Sequence, residues 1–229
     1  MTLTILIPTH NEEGRIGGTL KQLNSFLRTS KLRASILVVD DGKDGTAEIA
    51  RSLGARVLHF PKRLGKGGGV HAGLRHAKGD IVIYDADAST PPEEIPRLLA
   101  ALKNADVAIG SRYSRASQAK MPTIRKITGR SFNVLARLLF GLPFTDTQCG
   151  FKAIRKEANA RLGPKLKETG FVWDVEFLAV ALRLGMRVEE VPIRWRHVTG
   201  GPTAAGGILG LLRTTLRMLA DVVALRVRF

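Results

Sequence analysis

The first 112 residues alternate between short apolar runs and longer stretches with helical spacing. Leu3 to Pro8 is an almost unbroken apolar run, and Ser35 to Val39, Arg56 to Phe60, Asp80 to Tyr84 and Val107 to Ile109 repeat the pattern. Apolar runs of this length bounded by polar turns predict buried strands. Between them, Ile16, Leu20, Leu23 and Leu27 fall at helical intervals within Glu12 to Leu27. A second helix is expected after Asp44-Gly45-Thr46, and a third near Val70 to Ala77, after a glycine loop. A fourth opens at Pro91-Pro92-Glu93-Glu94, where proline and acids suit a first turn. Strand and helix in alternation predict an α/β fold, a Rossmann-like, mainly parallel sheet flanked by helices. After Arg112 the pattern changes to longer helical stretches with fewer buried strands. Residues 1–200 are expected to form one domain. Residues 201–229 are expected to add an amphipathic basic helix, with Leu211, Leu212, Leu216, Leu219, Val222 and Val223 against Arg213 and Arg217.

Composition narrows the classes. The chain has 229 residues, 44% of them hydrophobic, which suits a packed core and excludes a disordered chain. Its single cysteine, Cys149, excludes an internal disulfide framework and suits a reducing compartment. No secretory leader is expected at Thr2 to Pro8, and no uninterrupted apolar run of about 18 residues is present to span a bilayer. Net charge is +16, which calls for anionic partners. Basic residues concentrate from Arg112 onward and mix with Ile127, Phe132, Val134, Leu135, Leu138, Leu139 and Phe140. A basic, apolar helix is a membrane-surface pattern. No standard nucleic-acid motif accompanies it, so nucleic acid is not the expected partner.

The chemistry sits at the strand ends. The first ends in Pro8-Thr9-His10-Asn11-Glu12, the second in Asp40-Asp41, the fourth in Asp85-Ala86-Asp87 and the fifth in Gly110-Ser111-Arg112. In a parallel sheet these ends share one edge, where open α/β sheets bind their ligands. Two carboxylates one residue apart require a cation, and hard oxygen ligands favour Mg²⁺ or Mn²⁺. Polar groups, a metal-binding pair and a guanidinium outline a nucleotide-diphosphate site. The glycine loop Gly65-Lys66-Gly67-Gly68-Gly69 is neither a Walker loop nor, in the third βα unit, a dinucleotide fingerprint. It is expected to let backbone approach a ligand, with Lys66 near phosphate or base. His71 and His76 are expected on a helix surface, and Trp173 and Phe177 in the core. Cys149 is expected as a packed residue with no nucleophilic role.

These motifs, together with Asp146-Thr147-Gln148-Cys149-Gly150-Phe151-Lys152 and Asp174-Val175-Glu176, resemble family 2 glycosyltransferases of the GT-A fold over about residues 3 to 195. The closer resemblance is to the dolichyl-phosphate glucose and mannose synthases. It implies a nucleotide-sugar donor, a divalent metal (Mg²⁺ or Mn²⁺) and a polyprenyl-phosphate acceptor; with the basic amphipathic helices, the expected location is peripheral, on the cytoplasmic face of a membrane. It also implies roles for individual residues. Pro8, His10, Glu12 and Asp40 would line the nucleoside pocket, with Lys66 nearby. Asp85 and Asp87 would hold the metal. Arg112, Arg125 and Arg130 would meet the acceptor phosphate, with Asp87 and Arg112 central to catalysis. Gln148, Asp174 and Glu176 would shape the sugar and acceptor side.

Departures from the family pattern set further expectations. Mannose-type enzymes usually carry Gln two residues after the carboxylate pair; Ser89 stands here, which tilts the donor toward UDP-glucose and leaves GDP-mannose as the alternative. The usual Ser-Lys pair near the end of the catalytic region is replaced by Gly200-Gly201-Pro202-Thr203-Ala204, with Arg194, Arg196 or His197 as substitutes. Val191-Pro192-Ile193-Arg194-Trp195 lacks the Gln of processive polymerases. A sugar nucleotidyltransferase would carry a glycine-rich signature after the first strand, where Pro8 to Glu12 stands. A non-enzymatic basic membrane-binding protein and an oligomer contact at the C-terminal helix complete the alternatives.

Overall fold

The computed structural model describes residues 2–198 and 207–229. The five expected strands form as β1 (Leu3–Thr9), β2 (Ala34–Asp40), β3 (Arg56–His59), β4 (Asp80–Ile83) and β5 (Val107–Ser111). A short pair follows, β6 (Gln118–Lys120) with β9 (Arg194–Arg196), and the main sheet gains β7 (Lys152–Ile154) and β8 (Val188–Pro192). The seven-stranded order is β3-β2-β1-β4-β7-β5-β8. β7 is antiparallel to both neighbours, pairing Lys152 with Ile83 and with Ile109. The other strands all point one way, so the carboxyl ends of β1, β2, β4 and β5 share an edge.

Period-two alternation sends successive strand residues to opposite faces. Ile5 and Ile7 of β1 join Val38 and Val82 under α1 (Glu13–Thr29), α2 (Thr46–Ser52) and α4 (Ile95–Ala101). Leu6, Leu37, Ile81 and Ile83 face the other way. There they meet α3 (Gly65–His76), α5 (Thr123–Phe140), α6 (Lys156–Leu162), α7 (Trp173–Arg183) and α8 (Gly207–Arg228). Trp173 and Phe177 are fully buried in this second core, as expected. Val222 and Leu225 of α8 also enter it, so the C-terminal helix is packed on the body of the sheet. The expected boundary at 200/201 and the stretch Gly200 to Ala204 lie outside the described residues.

Three local expectations are corrected. The glycine run is the first turns of α3, not a loop. Gly65 and Gly67 are required by close backbone contact: a Cβ on Gly67 would stand 2.2 Å from the Glu168 carbonyl oxygen and 2.7 Å from Trp173 Cβ. The Gly67 amide donates to the Thr169 carbonyl at 2.9 Å, so the loop at 168–170 caps the helix start, while Gly65 and Gly69 line a cavity on the other side. His71 is buried, its Nε2 without a partner, while His76 is exposed. Burial, with Arg75 close by, pushes the His71 imidazole down to about 4. Finally, β7 was not expected. It has three residues, and one of them is Lys152, 1% exposed at its side chain in the middle of a sheet.

Candidate active site

Two motifs interlock to build the first wall. After β1 the chain passes through Asn11 in a left-handed conformation (φ 54°), and Asn11 Oδ1 accepts the Lys43 amide at 2.9 Å. The Glu12 amide donates to Thr46 Oγ1 at 2.8 Å, and the Gly45 amide to Glu13 Oε2 at 2.8 Å. The ends of β1 and β2 are therefore one rigid unit. Asp41 is nearly buried in it. His10 Nδ1 lies 2.8 Å from its Oδ1, while the Leu64 and Gly65 amides donate to Oδ2 at 2.6 and 3.0 Å.

A cavity of about 190 Å³ opens at this wall, lined by Pro8, His10, Glu12, Asp41, Lys66, Asp85, Asp87 and Phe171 among others. The structure thus brings together Pro8, His10, Glu12, Lys66, Asp85 and Asp87. Asp40 does not reach the cavity. It is fully buried below it, accepting Thr9 Oγ1 at 2.8 Å with His59 Nδ1 3.0 Å away, and Asp41 takes the lining position. Arg15 and Arg63 also line the cavity and were not expected. Arg15 was hidden by its place in the α1 pattern, where it pairs with Glu12 at 2.6 Å. Burial raises the Glu12 carboxyl above its usual range despite that pairing.

Asp85 and Asp87 emerge half-buried from β4. Ala88, which follows, is the second non-glycine residue with positive φ (51°) among the described residues, so the turn carries strain at the site. Asp87 Oδ1 accepts the Ser89 amide at 2.9 Å and the Ser89 hydroxyl. Lys66 Nζ donates to Asp85 Oδ1 at 2.9 Å. Burial opposes ionisation of Asp85, but Lys66 outweighs it and holds the carboxyl below the usual carboxylate range. Lys66 is raised in turn, with Asp85 and Asp174 overcoming its burial. Gly150 abuts the pair: a Cβ there would lie 2.8 and 2.9 Å from the two Asp85 oxygens. This gives the glycine of the Asp146 to Lys152 motif a steric reason. Among the described residues no three His, Cys, Asp or Glu side chains converge as a metal-binding group. Asp85 and Asp87 could supply two hard oxygen ligands, with diphosphate oxygens and water supplying the remainder.

The opposite rim is basic. Arg112 grips buried Asp146 in a fork, Nε to Oδ2 at 2.7 Å and Nη2 to Oδ1 at 2.9 Å. Its guanidinium also lies 5.4 Å from the Tyr113 ring centroid and 5.6 Å from that of Trp195. Arg130 stands over the other use of Tyr113, 5.7 Å from its centroid. Among the described residues neither Arg125 nor Arg130 has a carboxylate partner. Arg125 is half-buried and lies within the fields of Arg112 and Asp87; burial and Arg112 lower its pKa. His197 shares that position, lowered by burial and Arg125. Gln148 sits on the same loop as Asp146, its amide donating to Asp146 Oδ1 at 3.1 Å.

Asp174 and Glu176 are both buried and turned to internal partners. Asp174 accepts the Lys152 ammonium, which also donates to the Cys149 carbonyl. Glu176 accepts the Lys167 amide at 3.0 Å and the Glu168 amide at 2.8 Å, fixing the loop that caps α3. Burial pushes the Cys149 thiol up to about 12, which fits its expected packing role. A larger groove of about 820 Å³ runs beyond Ser89 between α1, β6 and β9, and neither carboxylate of the pair lines it.

Comparisons with known proteins agree with this arrangement. The profile of "Glycosyl transferase family 2" matches residues 4–163. Dolichyl-phosphate beta-glucosyltransferase of Saccharomyces cerevisiae is 30% identical over 256 residues, covering 99% of this chain and 75% of that protein. Undecaprenyl-phosphate mannosyltransferase of Micrococcus luteus is 34% identical over 225 residues, covering 92% and 90%. Glycosyltransferase AglD of Haloferax volcanii is 34% identical over 206 residues; the match takes in 84% of this chain but spans only 33% of that relative. Glucosyl-3-phosphoglycerate synthase of Mycobacterium tuberculosis, crystallised with Mn²⁺ and UDP, superposes with a TM-score of 0.74 at 20% identity, over 98% of this chain and 79% of that one. At that identity the likeness concerns the fold alone. The strand-end motifs, the GT-A-like sheet and the family match together make this chain a member of glycosyl transferase family 2, and so a glycosyltransferase.

Proposed function

We propose that this enzyme transfers a hexose, with inversion, from a nucleotide diphosphate sugar to a polyprenyl phosphate, and that UDP-glucose is the donor. The observation that carries the reading is the juxtaposition across Asp87. On one side lies the cavity with the carboxylate pair; on the other lies Arg125, half-buried and without a carboxylate partner among the described residues. A half-buried guanidinium in that state demands an anion. The names of the relatives support a lipid-phosphate acceptor, and Ser89 after the carboxylate pair favours glucose over mannose.

Pro8, His10 and Glu12 line the nucleoside pocket with Asp41, while Asp40 braces it from below through Thr9 and His59. Asp85 and Asp87 hold a divalent cation, which when bound neutralises charge developing on the leaving diphosphate. Arg125 and Arg130 bind the acceptor phosphate, and Arg112, fixed by Asp146, adds its field without leaving its fork. An oxygen of that phosphate, already anionic at neutral pH, attacks the anomeric carbon as the bond to the diphosphate breaks. No strong base is needed, so positioning and electrostatics carry the rate. Gln148 lies on the loop of Asp146, beside that rim. Asp174 and Glu176 act from beneath, through Lys152 and through the loop at 167–168.

The membrane surface is the expected place for such an acceptor. No helix among the described residues is long and apolar enough to cross a membrane. Ile124, Ile127, Val134 and Leu138 are exposed at helical intervals along α5, as are Leu216, Val223 and Val227 along α8. Lys126, Arg130, Arg137, Arg213, Arg217 and Arg226 are exposed on the same two helices. Such faces suit peripheral binding at anionic headgroups, on the cytoplasmic side. The testing experiment is sugar transfer to polyprenyl phosphate with Mg²⁺ or Mn²⁺, comparing UDP-glucose, GDP-mannose and UDP-N-acetylglucosamine. Transfer from UDP-glucose, lost in Asp87→Ala, is expected. Transfer from GDP-mannose instead would reassign the donor, and no nucleotide binding at all would remove the reading.

A further inference from the structure

We infer that Lys66 is a built-in stand-in for the divalent cation: its ammonium occupies Asp85 until the ion arrives, then gives up that carboxylate. The inference rests on the metal reading above and adds a competitor that the metal must displace. The geometry around Asp85 leaves little choice. Lys66 Nζ sits 2.9 Å from Oδ1, and a Cβ at Gly150 would touch both oxygens, so lysine and glycine together wrap the carboxylate. The lysine side chain has one hydrogen-bond partner among the described residues, Asp85. α3 begins at Gly65, its amides capped by the loop at 168–170, so the Lys66 backbone is fixed while its ammonium is held by Asp85 alone.

Charge balance supplies the driving force. Asp85 meets the Lys66 ammonium directly, and Asp87, one residue on, has no ion-pair partner among the described residues. A divalent ion placed at Asp85 and Asp87 would stand against the Lys66 ammonium, and like charges at that separation repel strongly. Moving the ammonium off Asp85 removes the repulsion and frees Oδ1 for the ion. The apo site is thereby kept from binding metal tightly before the donor diphosphate brings its own oxygens.

The test is a Mn²⁺ titration of the full chain without nucleotide, read by the electron paramagnetic resonance signal of the free ion. Lys66→Met and Lys66→Gln should bind Mn²⁺ about tenfold more tightly than wild type, and Lys66→Arg should match wild type. Glutamine retains a hydrogen bond to Asp85, so it carries the test where methionine unfolds the chain. Affinity in both neutral variants equal to or weaker than wild type overturns the inference; a lysine serving only the diphosphate gives that result. Asp87→Ala reports separately on the metal reading: undiminished Mn²⁺ binding there removes the site itself, whatever Lys66 does.

Discussion

The two rims of the crevice handle charge in opposite ways. On the β1–β4 side ionisable groups come hydrogen-bonded in pairs: His10 beside Asp41, Arg15 on Glu12, Lys66 on Asp85. On the α5 side Arg125 and Arg130 stand without carboxylates among the described residues, and Arg112 alone is matched, by Asp146. A paired, hydrogen-bonded rim has a fixed shape before any ligand arrives. An unpaired cationic rim is incomplete until an anion fills it. The comparison predicts that the first rim determines whether the reaction proceeds and the second determines how well the acceptor is held.

The largest expected effect is therefore at Asp87. Asp87→Ala should lower kcat/KM for sugar transfer by about a thousandfold, the scale of losing a charge-stabilising element in the transition state. Donor binding measured without metal should change far less. A variant retaining more than a tenth of wild-type transfer would place the catalytic burden on the cationic rim instead.

Behind the paired rim sits one group that is not matched, His71. Its imidazole is held down to about 4 from an ordinary 6.5, first by burial and then by Arg75. The unfolded chain then binds the proton more readily than the native one, so stability is full above pH 6.5. It falls as pH drops toward 4, by about 3 kcal/mol at 1.36 kcal/mol per unit. Glu12 and Glu176, raised by burial, act with the opposite sign in the acid range. The informative quantity is thus the difference between wild type and His71→Gln. Urea unfolding midpoints from pH 7 to pH 4 should converge for the two proteins as pH falls. Parallel curves would mean that His71 is solvated.

On the unpaired rim, Arg125→Ala should raise the KM for polyprenyl phosphate by about 30-fold, near 2 kcal/mol for one charge-assisted hydrogen bond. kcat and the donor KM should hold within a few-fold. Added salt should weaken the wild type more than the variant, because the variant has already lost the charge that salt screens. A kcat loss with unchanged acceptor KM would move Arg125 from binding to chemistry.

The paired rim was also the more legible in sequence. β1, β2, β4 and β5 announce themselves as aliphatic runs, and the motifs at their ends follow from chain direction. What stayed hidden depends on contacts between distant segments. The start of α3 looks like a loop because glycine is a poor helix former, and its reason, the carbonyl of Glu168 against Gly67, lies a hundred residues away. β7 is three residues long and begins with a lysine, so no periodicity betrays a central strand; Asp174 on another helix is what allows Lys152 there. Asp40 and Asp41 are adjacent acids that sequence cannot rank. The alternation along β2 sends Asp40 inward, and the turn sends Asp41 to the cavity. His71 sits amid glycine and alanine on a helix whose apolar stripe is too weak to mark a buried side.

The smallest effect expected is at the outer edge of the basic rim, on α5. Ile124, Ile127, Val134 and Leu138 recur at intervals of three, seven and four, one stripe of the helix, and Leu138 is 78% exposed. A stripe of aliphatic residues in water with exposed Lys126, Arg130 and Arg137 nearby has the make-up of an interfacial surface. Leu138→Asp should weaken sedimentation with phosphatidylglycerol vesicles about fivefold, close to 1 kcal/mol for one partly inserted side chain set against local charge. Its urea midpoint should stay within about 0.5 kcal/mol of wild type, because an exposed leucine contributes little to folding. Turnover of a short, water-soluble polyprenyl phosphate should be unchanged, while turnover of acceptor embedded in vesicles should fall with the binding. Should vesicle binding hold and the mass in light scattering drop instead, the stripe is a contact between copies of the chain. The unpaired rim would then be completed by a second subunit as well as by a phosphate.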